Sequence, residues 1–264
     1  MKNIFKRILF CKEQEQKIEP IDPKLNNIEY NSKCWDMYAK TWTKENAAVE
    51  NPDVKPEEKA NYVNYLGDEW GIVQHVNDIF EEYIKPYINN SSKAIEIGVG
   101  GGRIASRVAP CVNKLYCLDV APAMIENAKE SLKNINNIEF ILIDSPEVNI
   151  VNDNIDFIYS FDVFVHMDIE MIWKYFYSIS NKLKSGGKVF LHTTNLKNEN
   201  GWKNFLSQLD YRPGGYNIIR HYFIIPELIE LFAKNAGFRI IKHSNGTTEN
   251  YYDKRDYMFV MEKI

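Results

Sequence analysis

The stretch Ala94-Ile95-Glu96-Ile97-Gly98-Val99-Gly100-Gly101-Gly102-Arg103 constrains this chain more than any other. A short apolar run that breaks into glycines reads as a buried strand followed by a sharp reversal into a helix. Glycine lacks the Cβ that obstructs positive φ and the close approach of a bulky group, so the spacing predicts backbone built against a nucleotide-type cofactor. The dinucleotide pattern G-x-G-x-x-G needs glycine at position 103, where Arg103 stands, and no lysine followed by serine or threonine completes a phosphate loop.

From Lys93 onward, short apolar runs alternate with longer amphipathic ones. Strands are predicted over 93–97, 114–119, 138–144, 155–161, 188–194, 238–245 and 257–263, with helices over 122–134 and 169–183 between them. Pro122 suits a helix's first turn, Gly186-Gly187 is expected to end a helix before the fifth strand, and Pro226 and Gly237 bracket a later one. That rhythm predicts an α/β domain with a doubly wound, mostly parallel Rossmann-like sheet. Ligands of such sheets bind beyond the carboxyl ends of the strands. The candidates there are Glu96, Gly98, Gly100 and Gly102 after the first strand, Asp119 and Val120 after the second, Asp144 and Ser145 after the third, and Ser160 and Asp162 after the fourth. Asp119 lies close to the offset of about 20 residues at which an acid takes ribose hydroxyls, which makes it the best single cofactor ligand.

Glu96-x-Gly98-x-Gly100-x-Gly102 resembles the first motif of the class I S-adenosylmethionine-dependent methyltransferases of small-molecule type. The resemblance covers about residues 93–194, and 237–264 more loosely. It implies a seven-stranded methyltransferase fold with an N-terminal helical cap, S-adenosylmethionine as cofactor and S-adenosylhomocysteine as product. It also implies a place for Asp144 at the adenine amino group and for Ser160 to Asp162 beside the methionine half. Trp35 to Trp42 is similar to the aromatic-Asp-x-x-Ala-x-x-aromatic helix that caps the cofactor in such proteins, with tryptophans where tyrosine is usual, so Tyr38 and Trp42 join the cofactor set. In phosphoethanolamine-type members an acid meets the acceptor amine and a histidine follows four residues on, as Asp162 and His166 do here. These two are the catalytic candidates. His166 is read either as the base that takes the acceptor's proton or as a packing residue.

With 264 residues, 45% of them hydrophobic, the chain can bury a full core. It divides into an amphipathic segment and linker (1–31), a helical cap or lid (32–92) and a cofactor domain (93–264) with a substrate insertion over 195–225. A net charge of -4 argues against a nucleic-acid footprint. No run approaches the roughly 18 apolar residues of a membrane span. The face of Ile4, Phe5, Ile8 and Leu9 is the one candidate for touching a membrane surface or a partner. Cys11, Cys34, Cys111 and Cys117 have neither zinc-type pairing nor disulfide density, which suits a reducing cytoplasm, and no metal is expected.

Acceptor contacts are expected from Tyr65 and Trp70 and, in the insertion, from Tyr211, Arg212, Tyr216, Arg220 and His221. Arginine suits a phosphate or carboxylate. The resulting expectation is methyl transfer to an oxygen or nitrogen of a small polar metabolite, a sugar or surface-glycan precursor ahead of a small, phosphorylated amine. A non-catalytic S-adenosylmethionine-binding or scaffold subunit is the reading from a different class. Oligomeric state is left open.

Overall fold

The structure is a computed structural model that describes residues 21, 24–44, 47, 63–209 and 220–264. The face of Ile4 to Leu9, Cys11, and the acceptor candidates Tyr211, Arg212 and Tyr216 lie outside the described residues.

Seven strands form one sheet in the order β3-β2-β1-β4-β5-β7-β6. The strands are β1 (Lys93–Ile97), β2 (Lys114–Asp119), β3 (Ile138–Leu142), β4 (Ile155–Tyr159), β5 (Leu183–Thr194), β6 (Phe238–His243) and β7 (Asp256–Lys263). The first five pair in parallel, and β7 runs antiparallel to both β5 and β6. β1 and β2 are buried along their whole length past Lys93 and Lys114, Glu96 and Asp119 included, because a parallel strand is covered on both faces.

The covering helices follow from their own sequences. Helix α1 (Asn27–Thr41) begins where the Asn26 side chain accepts the Glu29 N–H at 3.0 Å, so the expected linker ends inside residues 1–31. Within the cap, the chain after Gly71 runs as α2 (Val73–Ile79) and continues as a π-turn through Ile84. Next come α3 (Ala105–Val108) and α4 (Pro122–Ser131), the latter with its proline in the first turn. Helix α5 (Ile169–Lys182) is capped by Asp168, whose carboxylate accepts the Met171 N–H at 2.8 Å. It buries Met171, Ile172, Tyr175, Phe176 and Ile179 along one stripe. After β5 come α6 (Glu199–Leu209), α7 (Pro226–Asn235) and α8 (Tyr251–Arg255). Side chains of α2, α3 and α4 share one core cluster, and those of α5 and α7 share the other with Ile95 and Ile97, so the sheet is wound on both faces.

One boundary differs from expectation. Helix α5 stops at Lys182 on the extended backbone of Leu183, and Gly186 and Gly187 lie inside β5, where the register against β4 shifts. Gly186, at φ +75°, serves that bulge rather than a helix end.

The order β2-β1-β4 places a topological switch point between β1 and β4, and α1 lies across it. Ser32 Oγ donates to the Val120 carbonyl (2.7 Å), and Asp36 accepts the Ala123 N–H at the start of α4 (2.9 Å). Asn27 and Asn31 both donate to the His166 carbonyl (3.3 and 3.0 Å). One helix thereby joins the loops that follow β2 and β4.

Candidate active site

The loop after β1 leaves the sheet leaning on β2, with the Gly98 and Val99 N–H groups both donating to the Leu118 carbonyl (2.7 and 3.0 Å). Its glycines do different work. A Cβ on Gly98 would lie 2.4 Å from Val163 Cγ2, one on Gly101 2.5 Å from Leu66 Cβ, and one on Gly102 2.7 Å from Leu132 Cδ1. These three let the protein pack on itself. Gly100, at φ +53°, would meet nothing within 4 Å, and it faces the cavity.

That cavity holds about 850 Å³, its open mouth included, a size suited to a nucleoside-sized ligand. Of the sequence candidates, Glu96, Gly98, Gly100, Asp119, Val120, Asp162 and Trp70 line it together. Asp119 Oδ2 accepts the Gly100 N–H (2.9 Å) and Oδ1 the Ala121 N–H (3.0 Å). Each oxygen keeps a second acceptor site for a hydroxyl. Burial raises the Asp119 pKa to about 6, against three backbone donors that lower it. Burial also raises Glu96 to about 8, despite hydrogen bonding to the Tyr159 hydroxyl (3.0 Å), so its carboxyl is largely protonated at neutral pH.

Other candidates fall elsewhere, each for a local reason. Gly102 packs on Leu132. Just past the third strand it is the buried Ile143 that lines the cavity, its N–H bound to the Asp119 carbonyl (2.9 Å), and Asp144 after it is exposed to solvent. Ser145 beside it is half-buried and does not line the cavity. Ser160 Oγ donates to the Ile97 carbonyl (2.7 Å) and ties β4 to β1. Tyr38 and Trp42 converge on Glu69 Oε1 (2.5 and 3.0 Å), while Glu69 Oε2 accepts the Gly67 N–H (2.8 Å). They brace the turn over Asp68–Trp70, and it is Trp35 and Trp70, 5.6 Å apart between ring centroids, that reach the cavity. Tyr65 packs against the α2 side of the core, its N–H bound to Asp68 (2.9 Å).

At the β4 end Asp162 adopts φ +64°, and among the described residues it is the one non-glycine with positive φ. Three contacts hold it there. Its carboxylate pairs with Arg103 Nη2 at 2.7 Å, its N–H donates to His192 Nδ1 at 3.0 Å, and that ring's Nε2 lies 3.0 Å from Asp256. Because Nδ1 accepts from a backbone N–H, Nε2 carries the hydrogen that Asp256 receives. Burial pushes the Asp162 pKa up, but the Arg103 guanidinium above all, with Arg255 behind it, outweighs burial and holds the carboxyl well below the usual range.

His166 closes the short turn Phe164–His166 beyond Asp162. Its Nδ1–H donates to the Arg220 carbonyl (2.8 Å), which leaves Nε2 with the lone pair. Burial lowers its pKa, so the ring is neutral at pH 7. The ring does not line the cavity itself but packs edgewise on Trp35, which does, at 5.1 Å. His221 sits 4.8 Å from it, its Nδ1 buried without a partner among the described residues and its pKa lowered to about 3, chiefly by burial. Arg220 extends into solvent with its guanidinium 4.2 Å from the Tyr30 ring.

Sequence reasoning passed over Arg103, Trp35, Glu69 and His192. Arg103 stood only for a missing glycine, although a cation directly after a glycine loop is itself a signal. His192 lies at the end of β5, the one parallel strand whose carboxyl end held no candidate.

Among the described residues, no group of three or more His, Cys, Asp or Glu could hold a metal, and no helix is long and apolar enough to cross a membrane. Residues 94–187 match a family model described as a methyltransferase domain. Malonyl-[acyl-carrier protein] O-methyltransferase 1 of Ilyobacter polytropus is 29% identical over 161 residues, 59% of this chain, and the match spans only 57% of that protein. Magnesium protoporphyrin IX methyltransferase of Synechocystis, solved with bound S-adenosylhomocysteine, superposes with a TM-score of 0.64 at 14% identity, covering 90% of this chain and all of that one. An S-adenosylmethionine-dependent methyltransferase of Clostridium acetobutylicum gives 0.55 at 16% identity, over 87% of this chain and 99% of that one. With its glycine cradle, the acid after β2 and its sheet order, this chain has the fold of the solved S-adenosylmethionine-dependent methyltransferases, and its residues 94–187 match a methyltransferase domain.

Proposed function

We propose that the protein transfers the methyl group of S-adenosylmethionine to an oxygen or nitrogen of a small polar metabolite, with a sugar or surface-glycan precursor as the preferred acceptor. The observation that carries the transfer reading is the cavity at the switch point, where Gly100 opposes empty space and Asp119 is fixed by two backbone donors. Gly98 to Gly101, Asp119 and Val120 would hold the adenosyl part. The sulfonium brings an activated methyl group. The chain's own task is then to align the acceptor and exclude water, which in favourable systems is worth about 7–11 kcal/mol.

Trp35 and Trp70 wall the cavity under the cap, where their rings would exclude water from the transfer. Beyond them, His166 presents a neutral ring whose Nε2 is free to accept a proton, because Nδ1–H is committed to the Arg220 carbonyl. Such a base contributes typically about 10²–10⁴-fold once a hydroxyl acceptor comes within its hydrogen-bond reach, directly or through one water. Methylation of a phosphorylated amine is the alternative. It needs an acid to meet the ammonium, and the Asp162 carboxylate is already paired with Arg103.

The purified protein incubated with methyl-labelled S-adenosylmethionine, nucleotide sugars and phosphoethanolamine-like amines tests this directly. Label on the sugars is expected. Label on the amines alone selects the alternative, and label on neither class overturns both acceptor assignments.

A further inference from the structure

His192 near the carboxyl end of β5 and Asp256 at the start of β7 lie beyond residues 94–187, the part of the chain that matches a methyltransferase domain. Both are buried. Arg255 Nε donates to Asp256 Oδ2 (2.7 Å), which fixes the carboxylate that faces His192 Nε2 at 3.0 Å. Phe161 stacks on the imidazole with its centroid 4.8 Å away, and Tyr252 meets it edge-on at 5.7 Å. The ring is therefore held in one place and one tautomer, with the Nδ1 lone pair on the Asp162 N–H.

That N–H belongs to the residue at φ +64°, a conformation that a residue other than glycine keeps only where its surroundings impose it. The chain bends there. Val163 comes next, and its carbonyl accepts the His166 N–H (2.9 Å), so the bend at Asp162 runs directly into the turn that carries His166. On its far side this turn is tied to α1 through Asn27 and Asn31, and to Tyr222, whose N–H donates to the Val165 carbonyl (2.8 Å). On its near side the anchors are those of Asp162: the carboxylate on Arg103 and the backbone N–H on His192. Of these two, the bond to His192 acts on the backbone and so on φ. We propose that His192, oriented by Asp256, is a positioning residue for methyl transfer: it holds the Asp162 backbone in the left-handed region and thereby sets the turn that presents His166 to the acceptor. This rests on the reading of His166 as the acceptor's base.

His192→Phe keeps a ring to stack on Phe161 and removes both nitrogens. With nucleotide sugars and phosphoethanolamine-like amines as acceptors, it is expected to lower kcat by about 10- to 100-fold, the effect of misplacing a reacting group by about 1 Å. In a His166→Gln background the same change is expected to cost less than about two-fold, because the group being positioned is already gone. His192→Asn, whose side-chain carbonyl can stand in for Nδ1 as acceptor, is expected to recover most of the loss. Equal losses in the two backgrounds would make His192 a core residue only and overturn the proposal, as would a Phe variant with wild-type kcat. A wild type that methylates neither class, or a His166→Gln variant that by itself keeps full kcat, overturns the base reading and the positioning role together. Should the Phe variant not fold, nitrogen NMR of the isotope-labelled wild type still decides. It is expected to show His192 protonated on Nε2, with Nδ1 coupled across the hydrogen bond to the Asp162 amide nitrogen, and the opposite tautomer overturns the proposal.

Discussion

Asp119 Oδ2 accepts the backbone N–H of Gly100 at 2.9 Å, so the acid read as the ribose ligand also sets the shape of the glycine loop it shares a cavity with. Its other oxygen holds the Ala121 N–H at 3.0 Å, just ahead of α4.

Asp119→Ala is therefore expected to act twice. Two backbone donors lose their partner, at a cost of about 1–3 kcal/mol in unfolding free energy, and S-adenosylhomocysteine affinity falls as well. Asp119→Asn keeps an acceptor and should recover part of the stability without the full affinity. Urea unfolding and calorimetry on both variants check this, and an Ala variant as stable as wild type would show that the loop does not depend on the carboxylate.

The glycines separate in the same way. Gly100→Ala meets no atom within 4 Å but must hold φ +53°, so it is expected to fold with a loss of about 1–2 kcal/mol and to bind S-adenosylhomocysteine poorly, because the new methyl group enters the cavity. Gly98→Ala drives its Cβ to 2.4 Å from Val163 and is expected to lose more stability than Gly100→Ala. Comparing thermal midpoints with ligand affinities for the two variants distinguishes a cradle from a packing glycine.

The difference between these glycines also marks how far the sequence could be read. Gly98, Gly100 and Gly102 announce a close approach, but not whether the neighbour is a ligand or Val163 or Leu132, since those partners come from distant parts of the chain. Strand positions were legible because parallel strands covered on both faces are short, mostly apolar runs, as in β1 and β2. Asp144 illustrates the limit: placing an acid after a strand does not say whether it faces the cavity, and Ile143 took the inward place. Arg103 was illegible because its meaning lies in Gly67 and Asp162, 36 and 59 residues away. Tyr38 and Trp42 were recognised as a cap, but the Glu69 carboxylate that collects both was not.

Glu96 predicts a pH dependence of stability with a definite sign. Its folded pKa of about 8 lies above the ordinary 4.5 through burial, so between these values the folded chain keeps a proton that the unfolded chain has lost. Stability from this group is fully present below about pH 4.5, declines as pH rises, and levels off above about 8. Within that window each pH unit removes up to about 1.4 kcal/mol. Glu96→Gln retains an acceptor for the Tyr159 hydroxyl and has nothing to ionise. Denaturant titrations at pH 5.5 and 8 are expected to show the variant gaining on wild type at the higher pH, and a constant difference would mean that Glu96 is ionised in the folded state throughout.

His166 gives a prediction on the reaction itself. Its ring is neutral because burial lowers its pKa below the ordinary 6.5, and its Nε2 carries the lone pair because Nδ1–H is held by the Arg220 carbonyl. If it takes the acceptor's proton, the acidic limb of the kcat/KM profile falls below pH 6.5, since a base with a lowered pKa stays deprotonated further into acid. His166→Gln keeps a side chain of similar reach without a titrating base, and it is expected to lower kcat by about 10²–10⁴-fold and to abolish that limb while S-adenosylhomocysteine affinity is preserved. A packing role predicts the opposite pattern: the ring lies against Trp35 and His221, so the variant would lose thermal stability and ligand affinity together and keep the acidic limb. The pH profile therefore decides between the two, because loss of packing cannot remove a titration that belongs to another group.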